Sequence, residues 1–258
     1  MPELPDLQVI SKNLNEIYSG CCLSSIYLAH NAKTNAAAEE YNQLLTGKKI
    51  KSISRFGKEI KILFENDNIL GLHLMREGKL FEKDEEVKNI ILKLVFDDGK
   101  VLVMSDFMGQ AKATLNPVFS NVPDPFSEEF TIEYLKQRLI EKKRTVIKAF
   151  LIDQANILGI GNAYADEILW ETKLSPATKC GNIPDEVVDV LYKSIRLVLE
   201  RAIEKIKEIA PDIISGEIRS FMNVHNKNNK LTSTGYEILT DKVGGKITYY
   251  TKEQIFYE

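Results

Sequence analysis

The spacing of apolar residues along the chain changes twice. Near the N-terminus, Leu4, Leu7, Ile10 and Leu14 recur at a helical period, which predicts one helix ending near Gly20. Short runs rich in Ile, Leu, Val and Phe then partly alternate with polar residues and are separated by turn-forming sequences such as "NDN" and "DDGK". These runs predict strands at 49–56, 60–65, 68–75, 90–96 and 100–104. Several short strands at this spacing favour a β-sandwich or a barrel.

The second half of the chain has a helical pattern and a β-prone tail. The stretch Asn116–Phe126 contains three prolines and predicts an interdomain linker. After it, Ser127 or Thr131 can cap a helix, and a hairpin is predicted around Gly244-Gly245. The further predicted helices span about 145–153 and 162–172, with a long one between Pro184 and Pro211. The sequence thus predicts an α+β fold with segments 1–115, 116–126, 127–231 and 232–258.

Composition is that of an ordinary globular protein, with 44% hydrophobic and 28% charged residues in 258. No apolar run reaches membrane-spanning length and no signal peptide is visible, which predicts a cytoplasmic, nucleoid-associated protein with no membrane partner. Cys21 and Cys22 are neighbours and Cys180 stands alone, so we expect three free thiols. The net charge of −3 argues mildly against a nucleic-acid partner. Two basic clusters, Lys48–Lys61 and Lys136–Lys148, weaken that argument, although each can be a solvated face.

Two short stretches are candidates for chemistry. "MPELPDL" at the N-terminus reads as a helix start, because proline and acids suit a first helical turn, but it also places Pro2 beside Glu3. "LGIGNAYADEILW" combines Gly159 and Gly161 in a tight turn with Asn162 at the start of a helix. Such a turn directs backbone N–H groups at an anion such as a DNA phosphate, although a plain connection between helices fits as well.

Six stretches in this order and spacing resemble the formamidopyrimidine-DNA glycosylase / endonuclease VIII family of base-excision repair enzymes. They are "MPELPDL", "RFGKEI", "LHLMREGKL", "PDPFS", "LIDQANILGIGNAYADEILW" and "GGKITYYT". The resemblance runs from Pro2 to about Thr251. It implies an N-terminal β-sandwich, a helix–two-turns–helix domain and a C-terminal finger hairpin, with double-stranded DNA bound between the domains.

The resemblance implies a role for each matching residue. Pro2, once Met1 is removed, is the secondary amine that forms a Schiff base with the sugar, and Glu3 is the acid beside it. Lys58 in "RFGKEI" approaches the phosphate beside the lesion. The family's second acid in the N-terminal motif is usually glutamate, so a role for Asp6 is less secure.

The DNA contacts follow in the same way. Asn162, with Gly161 in its turn, holds the same phosphate as Lys58. Lys246 stands where the family usually has a finger arginine. Met75 matches the residue that enters the base stack, although core packing is an alternative for it.

The chain departs from the family pattern in two places. The usual zinc finger needs four cysteines, and no cysteine follows Cys180, which predicts a zincless finger and no metal or other cofactor. The loop Ser105–Leu115 carries Met108, Gly109, Gln110 and Lys112 where relatives have the arginine and phenylalanine that fill the space left by a flipped base. Of these residues, Lys112 is expected to contact the DNA. Lesion preference is therefore open.

The function expected from the resemblance is a monomeric bifunctional DNA glycosylase and AP lyase acting on damaged bases or abasic sites. One alternative is a non-catalytic binder of damaged DNA that has kept the fold. Another is an N-terminal-proline enzyme for small carbonyl compounds, but it leaves Lys58 and the tail hairpin unexplained. Binding through several phosphates weakens steeply with salt, which separates a DNA substrate from a small neutral one.

Overall fold

The computed structural model describes residues 1–258, which divide into two compact units. Unit 1 comprises Met1–Ser120 with Ile206–Glu217, and unit 2 comprises Asn121–Lys205 with Ile218–Glu258. The first boundary lies inside the predicted linker. The segment 206–217 groups with unit 1, whereas the predicted boundaries assign it to 127–231.

Unit 1 is a β-sandwich with two helices. The helices are α1 (Leu4–Tyr18) and α2 (Ala38–Leu45). The strands are β1 (Leu23–Leu28), β2 (Ile50–Phe56), β3 (Glu59–Phe64), β4 (Ile69–His73), β5 (Lys79–Phe81), β6 (Ile90–Phe96), β7 (Val101–Ser105) and β8 (Lys112–Leu115). They form two four-stranded antiparallel sheets, ordered β1-β6-β7-β5 and β2-β3-β4-β8. The sandwich and the five predicted strands are confirmed, while α2, β1, β5 and β8 were not predicted.

Helix α1 packs on the core of the sandwich. Leu7, Ile10 and Leu14 are buried together with the inward residues of both sheets. Burial of each such side chain contributes about 1.5–3 kcal/mol. The helix begins with a capping box, in which the Asp6 carboxylate accepts the backbone N–H of Glu3 at 2.9 Å. The sequence "PELPD" therefore builds a firm helix start as well as placing Pro2 there.

Unit 2 contains helices, a short 3₁₀ turn (Cys180–Asn182) and one hairpin. The helices are α3 (Ile132–Glu141), α4 (Ile147–Ile152), α5 (Asn162–Glu171) and α6 (Asp185–Ile209), of which α6 ends within the 206–217 segment of unit 1. The hairpin strands are β9 (Leu239–Val243) and β10 (Lys246–Tyr250). Thr131 caps α3, because its hydroxyl accepts the N–H of Tyr134 at 3.1 Å. Each predicted helix of this half and the hairpin are confirmed.

The hairpin turns through Gly244 and Gly245, as predicted. Both have positive φ, 58° and 79°, as the tight two-residue turns of β-hairpins require. A Cβ on Gly244 would lie 2.9 Å from the Cβ of Ala149, so the turn packs closely on α4. No helix in the structure has the length and apolar character needed to span a membrane.

Candidate active site and DNA-binding residues

The N-terminal residues lie at the start of α1. Pro2 and Glu3 are buried, while Met1 is exposed and its ammonium group contacts the Glu217 carboxylate at 2.9 Å. Asp6 is fully buried and accepts the N–H of Glu3. The structure thus places Asp6 in the helix cap, and the Asp6 carboxylate fixes the backbone of Glu3.

Arg55 joins this end of α1 to the turn between β2 and β3. Its Nε donates to Oε1 of Gln8 at 3.1 Å, and its Nη1 donates to the carbonyl oxygen of Gly57 at 3.1 Å. Phe56 pairs with Glu59, so Gly57 and Lys58 form a two-residue turn, with Gly57 at a φ of 55°. The sequence pattern showed Lys58 in a turn, but only the fold shows that Arg55 connects this turn to the helix of Pro2 and Glu3.

Two further candidates, Lys112 and Met75, lie at the same edge of the β2-β3-β4-β8 sheet as Lys58. Strand β3 starts there, β4 ends there with His73, and β8 starts there with Lys112, which pairs with His73. Met75 follows two residues after His73 and is half-buried, outside the hydrophobic core. The edge therefore brings together Lys58, Lys112 and the turn of Met75.

This sheet edge is electropositive and holds a neutral histidine. Burial lowers the pKa of His73 to about 4, and the positive charges of Lys112 and Lys58 lower it further. Glu59 lies beside them, and burial raises the pKa of its carboxyl group although Lys112 opposes that shift. His73 consequently adds no charge near neutral pH, and the two lysines supply the positive field.

The loop 106–111 presents an aromatic residue that the sequence reasoning overlooked. Asp106 is buried and its carboxylate accepts the backbone N–H groups of Met108, Gln110 and Ala111 at 2.9, 2.6 and 2.7 Å. The loop closes around that carboxylate and leaves Phe107 70% exposed and Met108 43% exposed. The sequence feature that could have indicated this exposed ring is the position of Phe107 directly after Asp106, a turn-forming residue.

In unit 2 the glycine-rich turn is held by one side chain. The Oε1 of Gln154 accepts the N–H of Gly159 at 2.8 Å, and its Nε2 donates to the carbonyl of Ile160 at 2.9 Å. Gly159 has a φ of 87°, and Gly161 is the N-cap residue of α5. Asn162 thus stands at the positive end of α5, where an anion is favoured.

Asn162 and Lys246 are brought together by the hairpin. The Nδ2 of Asn162 donates to the carbonyl oxygen of Ile247 at 2.9 Å. Lys246 is the preceding residue, exposed, and directly follows the two-glycine turn. The two predicted phosphate ligands of unit 2 are therefore neighbours, although 84 positions separate them in the sequence.

A buried ionic cluster supports this arrangement. Lys148 is fully buried, pairs with Asp166 and donates to the carbonyl oxygen of Asn162 at 2.8 Å. Asp166 also contacts Nδ1 of His225 at 2.7 Å and accepts the N–H of Tyr249 at 3.2 Å. Lys148 therefore does not belong to a solvated basic face, which corrects that interpretation of the Lys136–Lys148 cluster for this residue.

Glu253 performs a similar role behind the finger. Its carboxylate accepts hydrogen bonds from Trp170 Nε1, Lys173 Nζ and Thr234 Oγ1 at 3.0, 2.9 and 2.9 Å. Thr251 Oγ1 adds a contact at 3.2 Å. These bonds join α5 and both ends of the finger segment.

The residues of the finger do not fit a zinc ion. Residues 232–258 contain no cysteine or histidine, and Cys180 lies in the 3₁₀ turn. No group of three or more His, Cys, Asp or Glu side chains with a metal-binding arrangement occurs in the structure. Strand pairing, Asp166 and Glu253 hold the hairpin instead.

Comparisons with known proteins cover nearly the whole chain. Residues 1–111 match the formamidopyrimidine-DNA glycosylase N-terminal domain, and residues 122–212 match the formamidopyrimidine-DNA glycosylase H2TH domain. The formamidopyrimidine-DNA glycosylase of Pediococcus pentosaceus is 33% identical over 216 residues, which cover 79% of this chain and 78% of that protein. The enzyme of the same name from Bacillus subtilis is 31% identical over 271 residues, covering 97% of each.

Solved structures of Lactococcus lactis Fpg have the same fold. The complex of the wild-type protein with DNA containing an oxidized pyrimidine superposes with a TM-score of 0.85 at 26% identity, covering 97% of this chain and 98% of that one. The complex with abasic-site DNA gives a TM-score of 0.84 at 25% identity, covering 96% and 97%.

Proposed function

This chain belongs to the formamidopyrimidine-DNA glycosylase family, and we propose that Pro2, Glu3 and Lys58 carry its chemistry. It is a DNA glycosylase of base-excision repair that acts on oxidised bases and has AP lyase activity, and its partner is damaged or abasic-site DNA. One observation carries the assignment of residues. Arg55 joins the N-terminal half of α1 to the β2–β3 turn, so the candidate nucleophile, acid and lysine lie at one end of unit 1.

Pro2 becomes a nucleophile only after Met1 is removed, because its nitrogen is otherwise an amide. A free α-amino group titrates near 8, so a usable neutral fraction exists at physiological pH. The amine attacks C1′ of the damaged nucleotide and expels the base, and loss of its proton gives an iminium with the opened sugar. The iminium acidifies the C2′ proton, and strand cleavage follows by elimination.

Glu3 acts as the acid beside this nucleophile. Its backbone N–H donates to the Asp6 carboxylate and its own side chain accepts the backbone N–H of Asp6, so Glu3 is held at the helix start that directly follows Pro2. From there it protonates the sugar ring oxygen as the ring opens. Lys58, at the tip of a tight turn, approaches the phosphate beside the lesion.

Each unit offers groups that bind phosphates of the damaged strand. Asn162 and Lys246 form the pair in unit 2, supported by the positive end of α5. Lys112, exposed at the sheet edge, adds charge in unit 1. Such contacts position the DNA without reading its sequence, and the same affinity for phosphates would hold the protein at the nucleoid.

Apolar side chains of unit 1 fill the space left by the extruded base. Met75 leaves the sheet edge in a tight turn, and Phe107 and Met108 stand exposed on a loop built around Asp106. Apolar wedges of this kind unstack base steps and keep a flipped base from returning. Phe107 thus supplies an aromatic group in the loop that lacks the family's usual arginine and phenylalanine.

Borohydride trapping tests the assignment of Pro2. Protein lacking Met1 is incubated with abasic-site DNA and borohydride, which reduces the Schiff base to a stable covalent complex. We expect efficient trapping, weaker trapping by Pro2→Gly, which leaves a primary amine, and none by protein with a retained Met1. Trapping by the Met1-containing protein would show that an amine other than Pro2 is the nucleophile, either the Met1 α-amino group or a lysine, and Lys58→Ala in that protein would test the first lysine. No trapping by any form would favour the non-catalytic DNA binder.

A further inference from the structure

The turn after β4 holds Met75 in an unusual backbone conformation. Met75 has a φ of 52°, in the left-handed region that non-glycine residues rarely adopt. Residues in such conformations persist only where the surrounding structure imposes them, and they cluster at functional sites. The structure must therefore contain groups that hold Met75 in place.

Two interactions hold this turn. The N–H of Gly78 donates to the carbonyl oxygen of Leu74 at 2.9 Å, and a Cβ on Gly78 would lie only 2.3 Å from that oxygen. The N–H of Met75 itself donates to Nδ1 of His73 at 3.0 Å. The first interaction closes the turn. The second holds the Leu74–Met75 peptide in place, and rotation of that peptide would be needed for Met75 to leave its positive φ.

His73 is a hydrogen-bond acceptor near neutral pH. A protonated imidazole has two N–H donors and no acceptor, so it could not accept the Met75 N–H. Burial and the charges of Lys112 and Lys58 lower the pKa of His73 to about 4, and nearby Glu59 has its own pKa raised by burial. Because Nδ1 accepts, the proton of the neutral ring is on Nε2.

We propose that His73 is a positioning residue for base extrusion, whose Nδ1 holds Met75 in the left-handed conformation that sets the direction of its side chain. The inference rests on the proposed function, in which Met75 enters the base stack. His73 acts through the backbone of Met75, independently of any contact that its Nε2 makes.

A double-mutant cycle separates an effect of His73 through the Met75 backbone from an effect of His73 through contacts of its Nε2. The parent, His73→Leu, Met75→Ala and the double variant, all lacking Met1, are mixed with DNA carrying a tetrahydrofuran abasic analogue and 2-aminopurine next to it. Stopped-flow fluorescence then follows insertion into the stack. We expect insertion to slow at least tenfold in Met75→Ala and three- to tenfold in His73→Leu, whereas the double variant should match Met75→Ala within twofold.

Two further variants provide rescue and a control. His73→Asn should restore most of the parental rate, because the Asn side-chain oxygen accepts the N–H two residues further along the chain. His30→Leu, at an exposed position of unit 1, should leave insertion unchanged. Urea denaturation should show that His73→Leu destabilises a Met75→Gly background less than the parent, since glycine adopts positive φ without support.

The outcomes distinguish the inference from the function on which it rests. Equal slowing by His73→Leu in the parent and in the Met75→Ala background would overturn the inference alone, because His73 would then act by itself. Unchanged insertion in Met75→Ala would overturn the wedge role of Met75 and, with it, the inference.

Discussion

Replacement of Glu253 by alanine should loosen the finger without unfolding the protein. The side chain is 11% exposed, and its carboxylate accepts four hydrogen bonds. The bonds from Trp170 and Lys173 join the finger to α5 and the residues after it, and the other two come from threonines of the finger. Without the carboxylate, Trp170 Nε1–H loses its acceptor, and the indole is only 6% exposed. An unsatisfied buried donor costs about 1–3 kcal/mol, the partly exposed Lys173 pair adds at most about 1 kcal/mol, and the hydroxyls can turn to water. The sum is about 1–4 kcal/mol, and we expect a value near its middle, about 2–3 kcal/mol.

Native-state hydrogen exchange measures this change locally. Because 1.4 kcal/mol corresponds to a factor of ten, the amides of β9 and β10 should exchange roughly 30- to 150-fold faster in Glu253→Ala, while sandwich amides keep their rates. In Glu253→Gln the exchange rates of these amides should lie between those of the parent and of Glu253→Ala. The amide oxygen can still accept from Trp170, but the NH₂ group would face Lys173. Glu237→Ala, an exposed glutamate in the same finger, is the matched control. Hairpin exchange within threefold of that control would refute the role given to Glu253.

Protonation of Glu253 at low pH should loosen the hairpin as Glu253→Ala does. Partial burial raises the pKa of Glu253, but hydrogen bonds from Lys173, Thr234 and Trp170 outweigh it and hold the pKa below its usual range. A depressed folded-state pKa means that the stabilisation is present above the unfolded-state value, near 4.3, and is lost as the pH falls through the folded-state pKa. Hairpin protection should therefore drop below about pH 4 in the parent and change less in Glu253→Gln.

Three other substitutions test the proposed site. Lys246→Ala should weaken binding to any DNA sequence by about 1–2 kcal/mol and make the salt slope shallower by roughly one phosphate contact, whereas Lys246→Arg should bind as well or better; unchanged affinity and slope in a filter-binding titration would mean that the finger is misplaced. Glu3→Gln should abolish base removal in single-turnover assays while abasic-site DNA still binds, because the acid acts mainly in the transition state; excision at the parental rate would move the role elsewhere. Phe107→Ala should keep the parental melting temperature, since the ring is exposed, but weaken binding to abasic-site DNA by about 1–3 kcal/mol. Tyr27→Ala, an exposed aromatic of β1, is its control, and equal effects of the two would exclude stacking by Phe107.

Elements with a strong local signal were predictable from the sequence. The N-terminal helix, the alternating strands β2, β3 and β6, the Thr131-capped helix and the Gly244-Gly245 hairpin each follow from spacing, caps or turn residues within a few positions. Strand β8 and helix α2 were missed because their local signals are weak. They are stabilised by distant partners, as when the buried Tyr41 hydroxyl donates to the carbonyl of Ala113 at 2.8 Å.

The site divides in the same way. The sequence alone indicated Pro2, Glu3, Lys58, Asn162 and Lys246 as candidates, because each lies in a short motif that can be recognised without the fold. Tertiary structure alone revealed the groups that hold them: Arg55 between α1 and the Lys58 turn, Lys148 under Asn162, and Glu253 behind the finger. These are charged residues that a sequence pattern assigns to the solvent-exposed face. Only the folded chain supplies the distant partners that let Lys148 be buried and Arg55 and Glu253 be half-buried, since an unpaired buried charge is too costly.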